Sequence, residues 1–163
     1  MTQLNTPYPG TAYLTGFLQE RGVDVVQEDA SIDWFHRLMS SDGLARWSQL
    51  LVSGGRYVSW FVAHAERIAV VMPAVLRFLS GADPNFASRI ASRGYLPEGP
   101  RFLQIGPAGH QDEYLDWAFG AMGVADRAKF FCSLWLDDIA DVLREGVDPE
   151  FAFVRYGESI AAS

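Results

Sequence analysis

Residues 57–79 are apolar on most sides, longer than any strand and interrupted only by isolated charges, so they read as one buried helix or two in succession. Its longest uninterrupted apolar run, residues 68–76 between Arg67 and Arg77, is well short of the roughly 20 residues of a membrane span. Pro73 within it predicts a kink or a boundary between two helices, because proline removes one backbone donor and crowds the preceding turn. A chain built around such an element needs other helices to cover it. The sequence supplies them: Ile32, Phe35, Leu38 and Met39 follow a cap-like Ser31, and Leu44, Trp47, Leu50 and Leu51 follow Ser41-Asp42. Asp83-Pro84 opens a short helix expected to run to Arg93 and stop at Gly94, and residues 112–122 and 126–145 resume the helical period.

The N-terminal part reads differently. Two prolines and a glycine make residues 5–10 a loop. Tyr13, Leu14, Phe17 and Leu18 then give one apolar helix face, and Gly22 stands where that helix should end. Residues 23–27, Val-Asp-Val-Val-Gln, have the β-branched content of a short strand, and residues 101–105 read as a second, weaker one. The stretch 96–109, with its prolines and glycines, reads as a linker or a functional loop.

Composition narrows the function classes. The 163 residues suit about one domain, and a formal charge of −7 disfavours a phosphate-binding surface and hence nucleic acid. No basic n-region or apolar h-region opens the chain, so a cytoplasmic protein without a membrane partner is expected. Cys132 is the only cysteine, which excludes an internal disulfide and a cysteine-ligated cluster or zinc site within one chain.

The order of loop, helix and strand in residues 7–29, from Pro7-Tyr8-Pro9-Gly10-Thr11 through Tyr13-Leu14 and Gly22 to Val23-Asp24-Val25-Val26-Gln27-Glu28-Asp29, resembles the opening of cobalamin-binding radical SAM proteins. Residues 83–101 and 126–156 are similar to one uncharacterised subgroup of that family. The resemblance implies an α/β fold, strongly helix-rich: a partial Rossmann-like βαβ unit over residues 1–30, then a helical subdomain over residues 31–163. It also implies that Asn5, Thr6, Pro9, Gly10 and Thr11 face a cobalamin cofactor at the end of a strand. The family's three-cysteine cluster motif is missing, as is the Asp-x-His-x-x-Gly signature of base-off cobalamin domains, which radical SAM relatives often lack. No iron–sulfur cluster is therefore expected in this chain. The implied role is a non-catalytic cobalamin-binding-like region whose radical SAM domain lies on a missing C-terminal portion or a partner chain, and the alternative is a free-standing helical interaction or scaffold protein without cofactor. Self-association through an unpaired edge at residues 23–27 is a further expectation.

Other groupings read more plainly. Asp137-Asp138-Ile139-Ala140-Asp141 matches the short Asp-Asp-x-x-Asp pattern by which prenyl-transfer enzymes hold magnesium diphosphate, but without a second such motif it reads as a solvated acidic face. His110-Gln111-Asp112-Glu113 reads as an exposed helix start, Cys132 as a small core hydrophobe, and His64 as a core histidine with its hydrogen bonds satisfied. Trp34, Trp47, Trp60, Trp117 and Trp135 fall on helical apolar faces and are assigned to the core.

Overall fold

The computed structural model describes residues 9–28, 30–52, 54–106 and 123–153. Six α-helices are found among them: α1 (Pro9–Gln19), α2 (Ala30–Met39), α3 (Ser41–Ser48), α4 (Arg56–Leu79), α5 (Ala87–Ala91) and α6 (Val124–Gly146). Two 3-10 helices, Pro84–Phe86 and Pro100–Ile105, complete the set. The segment read as a helix over residues 112–122 lies outside the described residues.

α4 runs through Pro73 as one helix, contrary to a break there. Pro73 lies on an exposed side of the helix, while Ile68, Val71, Met72, Val75, Phe78 and Leu79 are buried before and after it. Their packing outweighs the one donor that proline removes. The buried face of α4 lies against α6, and α5 and the Pro100–Ile105 helix pack on other sides of α6. α6 is consequently the centre of the molecule: Phe131, Cys132, Trp135, Leu136, Ile139, Val142 and Leu143 are all buried, a distribution expected of a helix enclosed by neighbours. α2 and α3 close one end of this core. Trp47 stacks at 4.8 Å from Phe61 of α4, its indole N–H donating to the Leu38 carbonyl at 3.1 Å. Phe35 of α2 meets Phe153 edge-on at 5.3 Å, which ties the chain after α6 to the same end.

Local chemistry explains the helix ends. The Ser40 hydroxyl accepts the Gly43 N–H at 3.0 Å, so the cap of α3 is one residue before the expected Ser41. Gly22 has a φ of +73° and closes α1, with the Val23 N–H returning to the Leu18 carbonyl at 3.1 Å. Gly146 is the last residue of α6 and packs closely there: a Cβ would stand 2.6 Å from Leu51 Cδ2 and 3.0 Å from Val58 Cγ2. Glu145, an acid in the last turn of α6, is on the unfavourable end of its own helix dipole. Its carboxylate instead accepts the Val58 N–H at 2.8 Å and caps α4, whose N-cap Gly55 has no side chain to do so. Glu145→Ala is expected to cost about 1 kcal/mol in denaturant unfolding, the usual size of a lost cap.

Among the described residues there is no strand, so the partial βαβ unit over residues 1–30 and the α/β class are corrected to a helix-rich fold with no sheet among those residues. Residues 23–28 are irregular and fold back along α1, where Gln27 Nε2 donates to Thr11 Oγ1 at 2.7 Å. β-branched content favours a strand only where another strand offers its ladder, and the described residues offer none. The edge invoked for self-association is therefore not a strand edge. Residues 101–105 likewise form a 3-10 helix opened by Pro100. Phe102 and Ile105 are buried and Leu103 is exposed, a spacing of three that suits a 3-10 turn and not the alternation of a strand.

Candidate functional site

The residues implied as cofactor contacts fall only partly within the described residues. Asn5 and Thr6 lie outside the described residues, and Pro9, Gly10 and Thr11 form the first turn of α1. Gly10 and Thr11 are exposed, and the Thr11 hydroxyl is engaged by Gln27. No strand end stands beside them among the described residues, so the geometry by which open α/β sheets place a ligand is lacking here.

The acidic residues of α6 form the most developed polar cluster instead. Asp138 is 0% and Asp141 6% exposed, which corrects the reading of Asp137-Asp138-Ile139-Ala140-Asp141 as a solvated face. The chain of residues 96–105 covers them. Asp138 Oδ1 accepts the backbone N–H of Arg101 at 3.0 Å, and its Oδ2 is buried with no hydrogen-bond partner. Burial pushes the Asp138 carboxyl up to about 7; the Arg101 N–H and the charges of Arg101 and Arg56 pull the other way, while Asp141 adds to the rise. Asp141 receives the Arg101 guanidinium through Nε at 2.8 Å and Nη2 at 2.7 Å, and Arg144 bonds its other oxygen. Arg144 also donates to the Phe151 carbonyl at 3.1 Å.

A second ion pair shapes the covering segment. Arg93, 4% exposed, holds Glu98 through two hydrogen bonds of 2.6 and 2.5 Å and donates to the Gly106 carbonyl at 2.9 Å. It therefore joins the beginning and end of the segment. Trp135 of α6 donates its indole N–H to the Pro97 carbonyl at 3.1 Å.

The remaining sequence candidates are placed as follows. Cys132 is fully buried and burial pushes its thiol up to about 12, so it is held as the neutral thiol, a core hydrophobe as expected. His64 is exposed, its Nδ1 2.8 Å from the Trp60 carbonyl, which corrects its assignment to the core. Trp47, Trp60 and Trp135 are buried, Trp34 is exposed, and Trp117 and His110-Gln111-Asp112-Glu113 lie outside the described residues. Among the described residues no group of three His, Cys, Asp or Glu side chains is arranged to hold a metal ion. No described helix is long and apolar enough to cross a membrane.

The other distinctive surface is α1. Tyr13, Leu14 and Phe17 are 81%, 58% and 51% exposed, and with Ala12, Gly16 and Glu20 they border a shallow, open concavity along the helix. Compared with protein-family models, with curated proteins and with solved structures, the chain matches none.

Proposed function

We propose that this chain is a helical interaction protein whose contact element is α1. The observation that carries the reading is the exposed apolar face of Tyr13, Leu14 and Phe17, which the core formed by the other helices does not use. Soluble proteins rarely leave contiguous large apolar side chains in water unless another surface covers them. α1 itself carries no charged residue, and Arg21 just after it lays its guanidinium 3.5 Å over the Phe17 ring, a cation–π pair that a partner would cover together with this face. Gly16 has nothing within 4 Å of where a Cβ would stand, which leaves room for a partner side chain against the helix backbone. The cofactor-bearing reading requires a loop at the end of a strand, and the described residues contain no strand.

The test is the triple variant Tyr13→Ser, Leu14→Ser, Phe17→Ser. Its stability is expected to stay within about 1 kcal/mol of the parent, the range of surface substitutions, since these side chains stand outside the core. Sedimentation of the parent is expected to show concentration-dependent association that the variant lacks. A cooperative loss of several kcal/mol in the variant would place α1 within the core and overturn the reading. Association undiminished in a stable variant would move the contact surface elsewhere.

A further inference from the structure

We propose that Asp138 is a proton-controlled latch for residues 96–105, holding the segment on α6 while its carboxyl is protonated and loosening it when the carboxyl ionises. The inference starts from three side chains spaced three residues apart on α6. Trp135 bonds the Pro97 carbonyl, Asp138 accepts the Arg101 N–H, and Asp141 binds the Arg101 guanidinium. Together they grip one short piece of chain from a single helix face.

Asp138 differs from the other two. Its Oδ2 has no partner and lies against the Gly99 backbone, so close that a Cβ at Gly99 would stand 2.2 Å from it. No water fits between them. A neutral carboxyl tolerates such a site, whereas an ionised one leaves a charged oxygen without a hydrogen bond in a dry place.

The charges facing it do not remove that penalty. Arg101 from the covering segment and Arg56 from α4 attract the ionised form, and Asp141 from the same helix repels it. Arg101 is already committed to Asp141, as is Arg144. From α5 and the chain after it, Arg89 lies over the rings of Phe86 and Tyr95, and Arg93 is paired with Glu98. Relief of the ionised carboxyl therefore requires water at Oδ2, and water reaches it when residues 96–105 lift. That movement also uncovers Leu96, Phe102 and Ile105, three side chains buried when the segment is closed. With burial placing the carboxyl near 7, opening grows as the pH rises toward 7 and levels off above it.

The test is amide hydrogen exchange of residues 96–105 at about pH 6 and about pH 8.5, each corrected for the intrinsic exchange rate, in the full chain and in Asp138→Asn. The parent is expected to open about tenfold more at the higher pH, as linkage to one buried carboxyl requires. The Asn variant is expected to open equally at both. Equal opening of the parent at the two pH values, or the same rise in the variant, would overturn the proposal. Carboxyl-carbon NMR of the parent gives a readout that needs no variant: a midpoint near 7 supports the latch, and one in the ordinary carboxylate range overturns it.

Discussion

The folded chain is expected to lose stability as the pH rises from about 4 to about 7, by as much as about 4 kcal/mol from Asp138 alone. The sign follows from proton counting. The Asp138 carboxyl has an ordinary value of 3.8 and is raised to about 7 in the fold, so in that window the folded state binds the proton and the unfolded state does not. Stability from this group is complete below about 4, falls through the window, and is level above 7. Asp138→Asn isolates the effect, because an amide has the shape of the neutral acid and can accept the Arg101 N–H in the same way. The protonated acid and the amide each direct a donor toward the position of Oδ2, so the two should be nearly equal in stability at about pH 4.5. At about pH 8.5 the variant should be more stable by roughly 3 kcal/mol, since it avoids burying a charge. Urea unfolding at several pH values reads the difference directly. A variant less stable than the parent at every pH would mean that ionised Asp138 is matched by Arg101 and Arg56.

This inverts what the sequence suggests of the same residues, and the reason is specific. Asp137, Asp138 and Asp141 look like a wet helix face when only their own helix is considered. The segment that dries Asp138 and Asp141 is Arg101 and its neighbours, nearly 40 residues away, and no local pattern connects the two. One signal was available: Phe131, Trp135, Leu136, Ile139, Val142 and Leu143 surround the acids closely enough that α6 has little face left for solvent. The helices themselves were legible because their apolar spacing and their Gly and Pro boundaries are local properties. Residues 23–27 were misread for the converse reason. A strand depends on a neighbour's ladder, and Val23, Val25 and Val26 carry the composition of a strand without that neighbour. The resemblance carried by residues 7–29 includes that strand, whereas the contacts inferred for Asn5, Thr6, Pro9, Gly10 and Thr11 depend on a strand ahead of them, outside the described residues. Long-range caps such as Glu145 on α4 were invisible too, since 87 positions separate donor from acceptor.

Gly99→Ala is expected to destabilise the fold by about 3 kcal/mol, the upper part of the range for forcing an extra carbon into a packed interior. Gly99 is buried and its φ of −92° is open to any residue, so the glycine is required by proximity and not by backbone conformation. A Cβ there would stand 2.2 Å from Asp138 Oδ2, 2.4 Å from Cγ and 2.9 Å from Cβ. Because even the Asp138 Cβ is too close, turning the carboxyl aside does not clear the space. The covering segment must move, and with it go the Trp135–Pro97 bond, the Arg101 contacts with Asp138 and Asp141, and part of the burial of Phe102. The cause is separated from a general loss of packing by a double-mutant cycle with Asp138→Ala, which shortens the obstructing side chain to its Cβ. The two substitutions together should cost about 1–2 kcal/mol less than the sum of their separate effects, with recovery incomplete because the Asp138 Cβ remains. Strict additivity in equilibrium unfolding would mean that the Gly99 backbone does not rest on Asp138, and the grip of α6 on residues 96–105 would then have to lie with Trp135 and Asp141 alone.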